Sequence, residues 1–576
     1  MRGVQKMRLI RTARLTFTVY VCLVSLVSAN AQQPGGLPIC SDIGTWSKQT
    51  FLSGADKVQI ATPLLLTDGR VMVQYRGGLA AGHPWQDWYA LTPGTKGCYS
   101  LNSADCGGAG LVASWSPLAS IFSTIPAYGP IAFASAVLPD GNVIVEGGES
   151  NLATANRIES NGGAYYNAAA NTWTNVNPPA GWANIGDAPA TVLADGTFML
   201  GNACGNNSGF GQTALFDEAS KTWNSMAQPP QWTSEASFTL LPNNSVVFVP
   251  TCWPGQPAGD TCSTLRSGLN SEAYNPSTGL WDTLGNTTER LYSYDSTGFI
   301  GANSCFAGDP YFGEQGPAAL LPNGTYFATG GYNVAKNGDL TSVYNTGTER
   351  WESSPKLPSV TISGTTIPLS AEDEGAVVLT DGNLLLATFA GRVDYEIASG
   401  TVYYLEWNGN SYCQVNNVPA GIPGQSEMLT LPTGQILITD VSWGGTGDNN
   451  YFIYTPGGTT YPGIAPTLTS LSATTLVIGS TYTAAGTQFN GATQSSFFGD
   501  DFQNATNYPL VRITNNSTHD VFYATTQNPS TMGVATENLV TTTSFTVPVG
   551  ATVGASTIEV VANGIPSNSL SVTVEK

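Results

Sequence analysis

Five consecutive stretches of this chain place an acid or an amide at one fixed offset from a tight turn. The turn positions are Asp68, Asp140, Asp195, Asn243, Asn323, Asp381 and Thr433. Eight residues before them stand Ile60, Ala132, Asp187, Glu235, Gln315, Asp373 and Gln425. Glu314, Glu372, Glu374 and Glu427 lie beside that set, and the same connecting segments carry Trp182, Trp232, Tyr311 and Phe312. Carboxylates and amides hydrogen-bond to hydroxyls, and aromatic faces stack on sugar rings, so the group suits a glycan. Asp187, Glu235, Gln315, Asp373, Gln425, Trp182 and Trp232 are the candidate ligand-binding residues. Two of the acids could instead perform glycoside chemistry, which needs only a pair of carboxyl groups. Several together could hold Ca²⁺, whose ligands are oxygens; no other cofactor is expected. Histidine chemistry is thinly supplied, because His83 and His519 are the only two. No GxSxG stands in a strand-turn-helix context, so a serine nucleophile has no support.

The elements that would position these residues repeat seven times. The copies read LLLTDGRVMVQ, AVLPDGNVIVEGG, TVLADGTFMLGN, TLLPNNSVVFVP, ALLPNGTYFATGG, VVLTDGNLLLAT and LTLPTGQILITD. Two β-rich runs around Asp-Gly or Asn-Gly predict a hairpin. Each copy has a second half, in which an aromatic or apolar residue is followed seven positions later by another aromatic. The pairs are Tyr166/Trp173, Phe216/Trp223, Tyr274/Trp281, Tyr344/Trp351, Leu405/Tyr412 and Tyr454/Tyr461. The first copy departs, with an insertion holding Cys98 and Cys106 between Tyr89 and Trp115. Strand, short turn, strand completes a four-stranded unit, which is one propeller blade. Equal offsets then put the seven positions in one ring at one mouth of the central channel.

The LPDG-strand-Gly-Gly, Tyr, Trp order resembles the kelch repeat. Gly147-Gly148 and Gly330-Gly331 keep that family's double glycine. Gly44-Thr45-Trp46 looks like the start of a last blade strand and is expected to close the ring. From about Pro466 the pattern shifts to Thr/Ser/Val alternation with glycine turns, which suits an immunoglobulin-like β-sandwich. The expected fold is therefore all-β: a signal peptide over 1–31, a seven-bladed kelch-type β-propeller over 32–465 and a C-terminal immunoglobulin-like sandwich over 466–576. This order resembles galactose oxidase and its copper-radical relatives. LVRITNNSTH is similar to the loop that carries a copper-binding histidine in that family, which would make His519 the ligand. The family's remaining slots fall near Ala134, Asp187 and Gly424-Gln425, and none of these supplies the cysteine, tyrosine or imidazole the chemistry needs. The resemblance thus implies the fold without the oxidase.

Composition narrows the partners. Lys+Arg total 20 against 40 Asp+Glu, for a net charge of −20. Five of the cations (Arg2, Lys6, Arg8, Arg11 and Arg14) precede the apolar run Leu15 to Val27, and Ala29-Asn30-Ala31 follows. That is the pattern of a secretory signal, so a secreted protein, extracellular or periplasmic, is expected. The apolar run is short for a bilayer span, and no membrane insertion of the mature chain is expected. So acidic a chain repels nucleic acid. After the signal there are eight cysteines, an even number that suggests disulfides. Cys98–Cys106 and Cys252–Cys262 close short loops and are the favoured pairs. The function expected from the sequence is non-catalytic recognition of a glycan or surface protein through the propeller face. A carbohydrate-active enzyme using mouth carboxylates, or a structural envelope protein, is the alternative.

Overall fold

The structure is a computed structural model. It describes residues 36–576 except 52–58, 78–81, 154–159, 204–210, 232, 234–235, 251–269, 290, 292–314, 331–339, 373, 392–401, 421–425, 441–448 and 497–505. Seven antiparallel sheets carry the repeats, each with four blade strands. Blade 1 is Ile60–Leu65, Val71–Tyr75, Asp87–Thr92 and Ser114–Pro117. Blade 2 is Ala134–Val137, Val143–Glu146, Gly163–Asn167 and Thr172–Asn175. Blades 3, 4, 5 and 6 begin at Ala190, Thr239, Gln315 and Ala376. Blade 7 is Ser426–Thr430, Ile436–Asp440 and Asn450–Thr455, and its fourth strand is Thr45–Thr50 from the other end of the chain. The innermost strands touch in order from blade 1 to blade 7 and back to blade 1. The ring is therefore closed, which covers the two sheet faces that blades 1 and 7 would otherwise expose.

The repeated turn forms in every copy. The amide of Gly69, Gly141, Gly196, Asn244, Gly324, Gly382 or Gly434 donates to the carbonyl three residues earlier, at 2.8–3.0 Å. All seven have positive φ. This is a type I turn followed by a left-handed residue. The positive φ thus falls on the residue after the Asp or Asn, which explains the recurrent glycine. The acid itself acts as a cap on the loop. Asp68, Asp140, Asp195 and Asp381 accept the amide two residues on, as do Asn243 and Asn323.

The aromatic pairs lie cross-strand as expected in blades 2 to 5, with ring centroids 5.0–5.5 Å apart. Two pairings differ. In blade 6 the register sets Tyr412 opposite Trp407 and not Leu405. In blade 7 Tyr454 pairs with Trp46, because the N-terminal strand takes the outer position and leaves Tyr461 outside the blade. Outer tryptophans also tie neighbouring blades: the indole N–H of Trp173, Trp223 and Trp281 donates to the carbonyl of Ala119, Asn177 and Ala227.

Eight strands between Thr467 and Glu575, with Ile565–Pro566 beside them, form a second β-unit with its own core around Leu468, Phe489, Ile513, Phe545 and Ile558. This unit covers the face of the propeller that carries the seven turns. Thr526 N–H donates to Thr67 O, Asn528 N–H to Pro139 O and Met532 N–H to Ala194 O, and the Tyr508 hydroxyl donates to Leu65 O. One of its segments, Gln494–Ser496, pairs with the innermost strand of blade 5, Leu320 opposite Gln494 and Ala318 opposite Ser496. The C-terminal unit therefore reaches into the channel.

Gly69 marks the closeness of this docking. Its φ is +81°, and a Cβ there would lie 2.4 Å from the ring of Tyr523, itself buried. Gly69→Ala is expected to cost more than about 1 kcal/mol, since alanine meets both strain and a clash. Chemical denaturation of the variant against the parent measures it.

Two disulfides are present among the described residues, Cys98–Cys106 and Cys40–Cys413. The first is an expected pair; Cys204, Cys252, Cys262 and Cys305 lie outside the described residues. No helix among the described residues is long and apolar enough to cross a membrane.

Candidate active site at the mouth of the channel

Each innermost strand runs from the mouth face to the turn face. The C-terminal unit closes the turn face, so the mouth face is where a ligand can meet the first residues of these strands. Ile60 is 2% exposed, and Ala132 is partly exposed with φ +48°. Asp187 is 8% exposed and Gln315 3%. Gln315 donates from Nε2 to Val249 O of blade 4 at 2.6 Å. Glu235, Asp373, Gln425 and Trp232 fall outside the described residues, as do Glu314, Tyr311 and Phe312. Trp182 does not offer a stacking face. It is buried with Ala134, Ile185, Ala188 and Phe198 between blades 2 and 3.

The other acids of this face are set inside the walls. Glu427 accepts from the Thr62 amide of blade 1 and from the Thr439 hydroxyl at 2.8 Å, joining blade 7 to blade 1. Glu374 accepts from Ser426 at 3.5 Å, joining blade 6 to blade 7. Glu372, Glu374 and Glu427 are each 0–1% exposed.

Two acids escaped the sequence reading. Glu146 ends the second strand of blade 2, and Glu272 lies on the third strand of blade 4. Both stand alone in otherwise uncharged runs, VIVEGG and NSEAYN, which was the available signal. Glu146 is fully buried, and neither of its oxygens has a hydrogen-bond partner. Burial holds its pKa well above the ordinary carboxylate range, because a dry site penalises the charged form. The same cause pushes Glu272 up to about 8, opposed by the Gln231 amide.

Glu146 packs beside the loop that carries Asp187. The next residue, Gly147, has φ +76°, and a Cβ on it would stand 2.5 Å from Gly186 O. Gly148 N–H donates to that same carbonyl at 2.9 Å. The double glycine is thus what lets the end of the blade 2 strand abut the Asp187 loop. Asp187, slightly exposed on that braced loop, is the carboxyl group the described part of the rim offers for acid–base catalysis.

A small axial cavity of about 30 Å³ lies at the opposite end of the channel, between Leu64, Ala136, Val192, Leu429, Asn507 and Tyr508. It contains no carboxylate and stands apart from the mouth acids. Among the described residues, the one trio of donor side chains within 4.8 Å of one another is Cys40, Glu406 and Cys413.

No family model matches the chain, and no curated protein matches it. Among solved structures it is similar to a fungal alcohol oxidase with catalytic diversity among the AA5 family, in complex with copper. The two share 13% identity over 93% of this chain and 100% of that one, with a TM-score of 0.47. The expectation of a non-catalytic recognition surface is corrected at this point. Among the described residues the mouth presents buried acids, and Trp182 lies in the core between two blades.

The residues present do not fit copper. His83 lies on a mouth-face loop, its Nδ1 3.0 Å from Asp87. His519 is exposed in the turn after Asn515, beside the Lys96 loop on the turn face. The chain's two imidazoles are therefore on opposite faces of the propeller, and no step is routed through copper.

Proposed function

We propose that the chain is a carbohydrate-active enzyme that works by carboxyl acid–base chemistry at the mouth of the propeller channel. The observation that supports it is the close approach of the Gly147-Gly148 backbone to the Asp187 loop of the neighbouring blade, which sets Asp187 at the mouth. In this reading a carboxylic acid gives its proton to the glycosidic oxygen as the bond to the anomeric carbon breaks. A carboxylate, Asp187, takes a proton from the attacking water. Glu235 and Asp373 hold the same offset on other blades. The signal peptide and export, the kelch-type repeat and the immunoglobulin-like C-terminal unit belong to the same reading.

The test is release of new reducing ends from a panel of neutral and acidic polysaccharides. On a substrate that is cleaved, Asp187→Asn is expected to lower kcat about 10²- to 10⁴-fold without moving the melting temperature. Absence of turnover across the panel overturns the proposal, as does unchanged turnover in the variant. Peroxide formation from an alcohol by copper-loaded protein would assign an oxidase instead.

A further inference from the structure

The cluster at the blade 6–blade 7 junction lies far from the mouth chemistry in role and composition. Thr45–Thr50 closes the ring, and the segment just before it is fastened to blade 6. Cys40 N–H donates to Gln414 O at 3.0 Å, Gln414 N–H donates to Pro38 O at 2.7 Å, and Cys40 is bonded to Cys413. Glu406 sits directly across the strand pair from Cys413. Its carboxylate and the two sulfurs all lie within 4.8 Å of one another. Glu406 is 4% exposed and Cys40 7%.

A structural disulfide has no need of a buried carboxylate beside it. Here Glu406 is accompanied by the charges of Asp381 and Asp42, and none of the groups acting on it most strongly is a lysine or arginine. Tyr454 Oη and Asn383 Nδ2 each donate to a Glu406 oxygen at 3.2 Å. They hold the carboxylate in place and leave each oxygen a further lone pair. A buried carboxylate with two acids near it is costly to ionise, and a divalent ion would relieve that cost. Two thiolates and one carboxylate are a donor set for zinc, with a fourth position left for water.

We propose that Cys40, Cys413 and Glu406 form a zinc-class metal site when the disulfide is reduced, so that the strap closing blade 7 is fastened by a covalent bond in an oxidising setting and by a metal in a reducing one. The interconversion balances. A phosphine or dithiol reductant supplies two electrons that break the Cys40–Cys413 bond. Two protons complete the thiols, and the reductant leaves as a phosphine oxide, its oxygen taken from water, or as a disulfide. Zn²⁺ then displaces both thiol protons and takes the Glu406 carboxylate as third ligand.

The experiment compares the mature chain oxidised and phosphine-reduced, each incubated with Zn²⁺ and desalted, for zinc per chain by atomic emission. A Cys40→Ser/Cys413→Ser variant serves as background for the remaining six cysteines. The expected result is one more zinc in the reduced parent than in the reduced double variant, and no such excess when oxidised. Co²⁺ in place of Zn²⁺ should give a thiolate charge-transfer band in the parent alone. Glu406→Gln should weaken binding at least about tenfold, and Glu406→Asp should recover part of it. Hydrogen exchange over 45–50 should stay slow in the reduced, zinc-loaded parent and become fast when the metal is removed. Equal zinc in parent and double variant overturns the proposal, and so does an unaltered affinity in Glu406→Gln or a strap released despite bound zinc.

Discussion

Cys40→Ser in the oxidised protein is expected to destabilise the propeller by about 2–5 kcal/mol, the usual cost of losing a native disulfide. The effect should be local in origin. The Cys40–Cys413 bond joins residues 373 apart in sequence, and what it fastens is the one blade strand contributed from the far end of the chain. Without it, Thr45–Thr50 keeps its ladder with Asn450–Thr455, the packing of Trp46 on Tyr404 and Tyr454, and the contacts of Ser47, Lys48 and Gln49 with Leu101, Asn102 and Asp105. Those contacts come from the loop closed by Cys98–Cys106, which also docks on the C-terminal unit through Lys96 and Asp520. Amides of 45–50 and 450–455 should therefore lose protection first, while those of blades 2 to 4 hold. Thermal melting together with hydrogen exchange decides it. An unchanged melting temperature would show that the ladder alone closes the ring.

The second large effect is on pH. Burial raises Glu272 from 4.5 to about 8 and Glu406 from 4.5 to about 7, the latter with help from Asp381. Glu218 is raised to about 8 by burial and by its contact with Asp140, and burial also raises Glu146 well above the ordinary carboxylate range. For each group the folded state holds the proton more tightly than the unfolded chain. The stability this contributes is complete below the unfolded value of about 4.5 and is lost as pH rises through the folded value. Stability should therefore fall from about pH 5, most steeply near pH 6 where the unfolded carboxylates are ionised and the folded ones still hold their protons, and level off above about pH 8. Glu272 is 4% exposed, so its share is on the order of a few kcal/mol. Glu272→Gln removes the titration and should flatten that part of the curve. Melting temperatures from pH 5 to 9 for parent and variant are the measurement. A melting temperature that rises with pH over this range would refute the assignment of buried, uncharged acids.

Legibility in the sequence followed the range of the forces involved. The seven hairpins were readable because a turn is settled within about five residues: the Asp or Asn side chain caps the loop, and the next residue must accept positive φ. The cross-strand aromatic pairs of blades 2 to 5 and the Cys98–Cys106 loop were readable for the same reason. Thr45 as the start of the closing strand was also readable, because a four-strand unit lacking its last member demands one from elsewhere. The candidate site was legible only in part. A common offset set Asp187 and Gln315 at one rim, but an offset is silent on burial. Both turned out to be nearly enclosed, and Trp182 went into the core between two blades. Glu146 acquires its raised pKa from burial, and the Asp187 loop is set against the end of its strand through a contact that needs Gly147 to have no side chain. The Cys40–Cys413 bond, the strand Gln494–Ser496 inside blade 5 and the separation of His83 from His519 are likewise consequences of ring closure and domain docking. Local sequence determined which segments turn and pair. Burial, protonation and the choice of distant partners were left to the tertiary structure, because desolvation and contact depend on what other blades bring to the same place.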